Sequence, residues 1–388
     1  MSVRVDPDLL KDVARYGGVT INKCFNCGNC TAICPHSEGY DTFPRKLIRY
    51  AQVGVTDRLV GSKDLWICHY CGECSDTCPR EAEPGEFMAA ARRYAISHND
   101  PTGLSQLLYT SPAANLVAFV TVTALLGFFL LRNTGPISGR FFEFIPGKTI
   151  HDVGIVVGLV ALAVMLAGAI RMARGVIASP EFVNGLASRE GHGTRLVRGI
   201  EAVLAEVFAQ KRYRVCASEQ TSPWYLSRWF SHWAILWGFM SLLFATTWDY
   251  LDRLPDGTLV PLYYPPRLVG TIGGLLFLYG TGMALWQRLT GTTKYAKDSA
   301  VSDWVLISYL FLLAVTGFVL EVLVYTAPAT VVGNLILLVH TIMAFELVLM
   351  LPFSKLAHVV YRSLALFLHA YKGAGVPVSQ TVPQFRAA

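Results

Sequence analysis

Residues 24–35 read Cys-Phe-Asn-Cys-Gly-Asn-Cys-Thr-Ala-Ile-Cys-Pro, and residues 68–79 read Cys-His-Tyr-Cys-Gly-Glu-Cys-Ser-Asp-Thr-Cys-Pro. The two stretches share one pattern, Cys-x2-Cys-x2-Cys-x3-Cys-Pro, with a glycine (Gly28, Gly72) after the second cysteine. This is the spacing by which bacterial ferredoxins hold cubane iron–sulfur clusters, here repeated within one chain. Three cysteines at i, i+3 and i+6 let a tight loop wrap three corners of a cubane, and glycine permits the backbone angles such a loop needs. The fourth cysteine of each run reaches the other cluster. The expected ligands are therefore Cys24, Cys27, Cys30 and Cys78 for one [4Fe–4S] cluster, and Cys68, Cys71, Cys74 and Cys34 for the other. Structural zinc uses separated cysteine pairs, which two full four-cysteine runs do not resemble. Eight of the nine cysteines lie in these runs. The ninth, Cys216, reads as a lone thiol.

The surroundings of the runs are helical. Phe43–Val53 has helical spacing with Arg45, Lys46 and Arg49, Glu86–Ser97 is rich in Ala and Arg, and strand patterns are scarce. Residues 1–105 are thus expected to form an α-helical ferredoxin domain, with His36 and His69 beside the cluster cysteines as histidines that support the site from behind its ligands or lie at the surface.

Beyond residue 105 the composition changes. Over the whole chain, hydrophobic residues make up 53% and charged residues only 15%. A soluble enzyme would carry roughly a quarter charged residues, so much of this surface must face lipid. Crossing a bilayer takes about 20 apolar residues, and six segments qualify: 113–131, 150–170, 229–248, 267–286, 303–325 and 331–351. They define a membrane domain over 106–372, with 373–388 as a tail. Arg171, Arg174, Arg189, Arg195, Arg198, Lys211, Arg212, Arg214 and Arg228 crowd the loop 171–228. Arg288, Lys294 and Lys297 lie in the loop 287–302, and Lys355, Arg362 and Lys372 follow the last segment. The positive-inside rule then places both termini in the cytoplasm of a multi-pass inner-membrane protein. The start of the chain lacks an apolar signal core, which agrees with a cytoplasmic cysteine domain. The stretch 194–214 is amphipathic, with Leu196, Val197, Ile200, Val203, Leu204, Val207 and Phe208 on one face, and is expected to lie on the membrane surface. The net charge of +6 is modest, and nucleic acid is not an expected partner.

Four histidines in or near the spans suggest haem b, which takes two imidazoles at one depth. His232 opens the third span and His358 follows the sixth. Their depths match, and they are expected to hold one haem near the cytoplasm. His340 and His358 are 18 residues apart, which is five helical turns and about 27 Å of rise. His340 therefore lies well inside the bilayer in its outer half, and its candidate partner for a second haem is His151, at the mouth of the second span and about 10 Å apart in depth by helix rise. Arg267 and Glu321, with His340 deeper, outline an expected quinone site toward the outer leaflet, with Arg267 and Glu321 as its reactive groups. Buried Glu346 is the next place to look.

Two resemblances follow from these residues. The cysteine runs and the helix start Pro84-Gly85-Glu86-Phe87 resemble the HdrC component of heterodisulfide reductases. From about residue 150, the chain resembles the cytochrome b component (γ) of respiratory nitrate reductase and the related HdrE component of heterodisulfide reductase. That likeness rests on Val339-His340 through Leu351-Pro352-Phe353-Ser354-Lys355-Leu356-Ala357-His358, and on Ser231-His232 through Gly238-Phe239. Those cytochromes carry a second histidine ten residues after the first on the latter helix, where this chain has Leu242; Arg267 stands where they have a lysine near the quinone. The fusion of both modules resembles the membrane component of quinone-interacting membrane-bound oxidoreductase (Qmo) complexes of sulfur-metabolising bacteria. The resemblance implies an electron-transfer subunit between menaquinone and two flavoproteins like heterodisulfide reductase A, with adenylylsulfate (APS) reductase as the final partner in sulfate respiration. The rivals are a heterodisulfide reductase-like membrane protein with another thiol or disulfide acceptor, and a membrane anchor without quinone activity. The expected fold is all-α, a two-cluster ferredoxin domain followed by a six-helix cytochrome b-type bundle.

Overall fold

The computed structural model describes residues 4–37, 42–178, 191–216, 223–252, 260–291 and 301–372. The tail, and loop cations such as Arg189, Lys294 and Lys297, lie outside these residues, as does the side chain of Cys216. Among the described residues there are helices and turns but no strand.

The N-terminal domain is a set of short helices around one long one. Each cysteine run turns through two left-handed residues before its short helix: Asn26 and Gly28 in the first, Tyr70 and Gly72 in the second. The glycines sit at φ 93° and 91°, a region that costs glycine little and other residues more. The short helices Asn29–Ile33 and Glu73–Asp76 start there and pack against each other. The helix expected over Phe43–Val53 spans Arg45–Gln52, with Phe43 and Pro44 as its entry. The one expected over Glu86–Ser97 spans Pro84–Asn99, with proline in the first turn, where its missing N–H is no loss. This long helix is buried on nearly every side and forms the spine of the domain.

Six helices are long and apolar enough to cross a membrane: Pro112–Asn133, Gly147–Ile177, Arg228–Asp252, Pro265–Leu289, Val301–Thr326 and Val331–Phe353, called spans 1 to 6. Large side chains such as Leu116, Val117, Phe128 and Leu159 are exposed, as a lipid-facing surface requires. Span 2 runs seven residues beyond the apolar stretch that announced it, because Met172 and Val176 continue into the core of the N-terminal domain. Spans 3 and 4 approach most closely. A Cβ on Gly238 would lie 2.6 Å from the backbone N of Phe277, and one on Gly280 would lie 2.6 Å from the carbonyl O of Ser231.

The N-terminal domain and the bundle share one apolar core. Trp66, Phe87 and Met88 join Met165 and Met172 of span 2 and Tyr361 and Ala365 of the closing helix His358–Tyr371. A buried ionic knot adds to it. Asp303 at the start of span 5 meets Arg93 of the spine at 3.4 Å, and Lys355 closes on the same carboxylate. The ends of spans 2, 4 and 6 and the starts of spans 3 and 5 therefore gather under the cysteine domain.

The amphipathic stretch departs from expectation. It is not one helix over 194–214. The helix His192–Val203 widens to a π-turn at Leu204–Phe208, breaks at Gln210 with φ 51°, and resumes as Lys211–Cys216. Leu196, Val197, Ile200 and Leu204 stay exposed, while Gly199 and Val207 pack on the closing helix through Phe367 and Leu366.

Candidate functional site

The eight cysteines fall into two groups. Burial pushes the Cys30 thiol up to about 11, and the neighbouring thiols of Cys24, Cys27 and Cys78 add to the shift. Burial likewise raises Cys34 to about 12, with Cys68 and Cys71 as its sulfur neighbours. Cys34, Cys68, Cys71 and Cys74 line one cavity together. Each group thus draws its fourth member from the opposite run. Closely grouped thiols are a donor set that a strongly positive centre stabilises as thiolates. Among the described residues no three such side chains converge on a single ion; Cys34, Cys68, Cys71 and Cys74 instead surround a space, as ligands of a cluster do. The residues present fit a cubane in each group.

Beneath the second group lies a larger cavity, of about 320 Å³, between the cysteine domain and the bundle. That is within the usual range for small-molecule and cofactor sites, about 300–1,000 Å³. His232 and His358 line it with their ring centroids 6.3 Å apart. A first-row metal bonds imidazole nitrogen at about 2 Å, and the centroid lies roughly 1 Å further back, so a shared metal places two rings about 6 Å apart. The Nδ1 of His358 donates to the carbonyl of Lys355 at 2.6 Å, and that of His232 donates to Oε1 of Gln210 at 3.2 Å. Anchoring one ring nitrogen in this way leaves Nε2 as the ligating atom. Burial pushes His358 down to about 4, which keeps it in the neutral, metal-binding form. Arg92, Arg228, Arg288 and Arg362 also face the cavity, with Glu206 and the Lys355–Asp303 pair elsewhere in its wall; the guanidinium groups suit the carboxylates of a macrocycle.

Gln210 is the residue that sequence reasoning missed. It reaches His232 because the chain breaks in a left-handed turn there. The only sequence signal was an amphipathic pattern that ran on past its π-turn.

His69 lies behind the second cysteine group, beside Cys68. Burial, with Arg362 next, drives its imidazole well below the ordinary value. It accepts a hydrogen bond at Nε2 from Arg362 at 3.2 Å.

The second histidine pair is not formed. His151 packs on Tyr250, at 4.8 Å between centroids, while His340 Nδ1 lies 2.9 Å from Thr316 Oγ1 with its ring against Gly317. The two rings turn toward different neighbours, so the expected second haem has no paired ligands. Arg267 and Glu321 do come together. Nε lies 3.1 Å from Oε1, Thr271 donates to the same carboxylate oxygen at 2.9 Å, and the guanidinium covers the ring of Tyr325. His340, against Gly317, sits one helical turn from Glu321. Glu346 is separate, accepting from Tyr309 at 2.8 Å and from Thr123 at 3.3 Å.

These features define a class: a two-motif iron–sulfur domain seated on a six-helix membrane bundle, with a histidine-lined cavity at the junction. Residues 20–82 match the 4Fe–4S dicluster domain, and residues 101–375 match the model described as citrate utilization protein B. The chain belongs to the citrate utilization protein B family. It is 26% identical over 328 residues to citrate utilization protein B of Escherichia coli, covering 77% of this chain and 79% of that protein. The N-terminal part is similar to the HdrC component of the H(2):CoB-CoM heterodisulfide,ferredoxin reductase of Methanothermobacter marburgensis, with 32% identity over 91 residues, 24% of this chain and 49% of that protein. An HdrC-like protein of Archaeoglobus profundus is 33% identical over 117 residues, 28% of this chain and 62% of that protein. The chain spans about half the length of the first of these HdrC relatives, 49%. No solved structure matches it. The membrane half, likened above to cytochromes b, thus falls in a differently described family, while the HdrC likeness of the cysteine half stands.

Proposed function

We propose that the chain is the membrane-bound electron-transfer subunit of an oxidoreductase complex, linking the quinone pool to a soluble flavoprotein. One observation carries this reading: Cys68, His69 and Tyr70 line both the cysteine cavity and the His232–His358 cavity. Two redox sites that share a wall are a conduit. In this reading Cys24, Cys27, Cys30 and Cys78 hold one [4Fe–4S] cluster, and Cys68, Cys71, Cys74 and Cys34 hold the other. His232 and His358 hold haem b, with the guanidinium groups on its propionates. The haem supplies a one-electron step between a two-electron quinol and the clusters.

The quinone is proposed to be menaquinone, bound near Arg267 and Glu321 at the end of the bundle away from the cysteine domain. The Nη2 of Arg267 is buried with no hydrogen-bond partner among the described residues, a donor suited to a quinone carbonyl. The protein is placed in the inner membrane with both termini cytoplasmic, which the basic loops support. The likeness of the cysteine half to HdrC relatives supports partners like heterodisulfide reductase A, and the fusion resembles the Qmo membrane component, with APS reductase as the final partner.

The test is made on purified full-length protein. A quinol analogue should reduce a bis-histidine b-type spectrum, and Arg267→Ala should slow that reduction with spectrum and iron content intact. Wild-type protein without such a spectrum defeats the haem assignment. Unaltered reduction in the variant moves the quinone elsewhere, first to Glu346.

A further inference from the structure

Four aromatic rings form a line between the two cavities. His36 and His69 lie 5.1 Å apart, His69 stacks on Tyr213 at 5.0 Å with 15° between planes, and Tyr213 meets His232 edge-on at 5.1 Å. His69 follows Cys68 directly in the chain. The line therefore starts at one cysteine group and ends at the imidazole that faces His358.

The middle of this line is held rigidly. Arg228 donates to the carbonyls of Tyr70 and His69 at 3.0 and 3.3 Å, and its guanidinium lies over the Tyr213 ring at 5.6 Å. Arg362 donates to the carbonyl of Trp66 at 2.8 Å and to His69 Nε2. Arg228, at the start of span 3, and Arg362, on the closing helix, thus clamp the loop that precedes Cys71 from two sides. The other cysteine group lies nearer the surface. Cys27 is exposed, and beside it Phe25 is 61% exposed and Ile33 45%.

We propose that His69 and Tyr213 are positioning residues that couple the His232–His358 cavity to the group Cys34, Cys68, Cys71 and Cys74. That group is then the inner electron site, and Cys24, Cys27, Cys30 and Cys78 form the outer one. The inference rests on the haem and cluster reading above. His232 and His358 would hold the group that supplies one electron, and Cys34, Cys68, Cys71 and Cys74 would hold the group that accepts it, with no atom or proton transferred; His69 and Tyr213 keep ring contact between the two. Contact between stacked rings gives the electron a path through bonded and touching atoms where a gap would slow it.

The experiment uses full-length protein in detergent, comparing wild type, Tyr213→Phe and Tyr213→Leu. Haem spectrum and non-haem iron are measured first, then the rate at which clusters gain electrons after photoreduction of the haem. Tyr213→Leu should keep both cofactors and slow the transfer several-fold, and Tyr213→Phe, which keeps the ring, should transfer at nearly the wild-type rate. Equal rates in the leucine variant and wild type, with cofactors intact, overturn the bridge. Wild-type protein without haem overturns the underlying reading instead. A second measurement holds even if Tyr213→Leu loses its fold. Enhancement of cluster spin relaxation by the haem should persist in Cys27→Ser and disappear in Cys71→Ser; the reverse pattern overturns the order of the two sites.

Discussion

The runs 24–35 and 68–79 have one spacing, one pair of left-handed turns and one short helix each. Their surroundings differ. The second run is walled by Met88, Arg228 and Arg362 and borders the histidine cavity. The first leaves Cys27 and Phe25 open. A repeated ligand motif therefore encodes two equivalent binding loops, and only the packing of distant helices makes one an interior site and the other a surface site.

The sharpest way to break this distinction is to attack the clusters. Each group should hold about four irons, and the exposed one should yield first. Treatment of the protein with an oxidant and chelator is expected to release iron in two phases of equal size. Cys27→Ser should lack the fast phase and Cys71→Ser the slow one. A single phase in wild type would show that the two sites are equally protected.

The next effect concerns the cavity beside the interior run. His232→Ala and His358→Ala should each abolish the low-spin b-type spectrum and leave the cluster iron in place. Retention of a full bis-histidine spectrum in both variants would remove the cavity's claim to a haem, and with it the interior run's redox neighbour.

Part of this arrangement is readable from the sequence alone. The four-cysteine spacing leads one to expect Cys78 with the first run and Cys34 with the second, and the structure has Cys78 near Cys30, and Cys34 near Cys68 and Cys71. The depth of His232 and His358 follows from helical rise, and the structure sets their rings together. Helix rise already set His151 and His340 about 10 Å apart in depth, and the two rings turn toward different neighbours. Gln210 and Tyr213 were beyond reach, because a break at a left-handed residue depends on what the loop packs against. The Arg93–Asp303–Lys355 knot joins positions 210 residues apart for its first pair, and no local pattern announces it.

That knot gives the third prediction. The side chains of Arg93 and Asp303 are 4% and 7% exposed. Removing one partner of a buried ion pair strands the other charge and costs about 3–5 kcal/mol. Asp303→Asn should lower stability by that order and loosen the interior run, measured as faster slow-phase iron release and earlier thermal unfolding. Asp8→Asn, which breaks only an exposed pair with Lys11, should change neither. Unchanged slow-phase release in Asp303→Asn would mean that the shared apolar core alone seats the domain.

The smallest effect is a pH dependence confined to the same interface. His369 of the closing helix is buried and accepts a hydrogen bond at Nε2 from Lys63 at 2.9 Å, just ahead of the second run. Burial first, then the charges of Lys63 and Lys372, push its imidazole down to about 2. The ordinary value in an unfolded chain is about 6.5. The folded protein therefore keeps His369 neutral where the unfolded chain takes up a proton. The stabilisation is full above about pH 6.5 and falls as the medium is acidified toward the folded value, by up to about 1.4 kcal/mol per pH unit. Other histidines, His69 and the more exposed His98 among them, shift the same way, so the wild-type slope is a sum. His369→Gln keeps an acceptor for Lys63 and removes the titration. Its unfolding free energy should lose less than that of wild type between about pH 7 and pH 5.5, by roughly one proton's share. Parallel curves for the two proteins would mean that His369 is already protonated or exposed in the fold, and that acid does not act on the interior run through this contact.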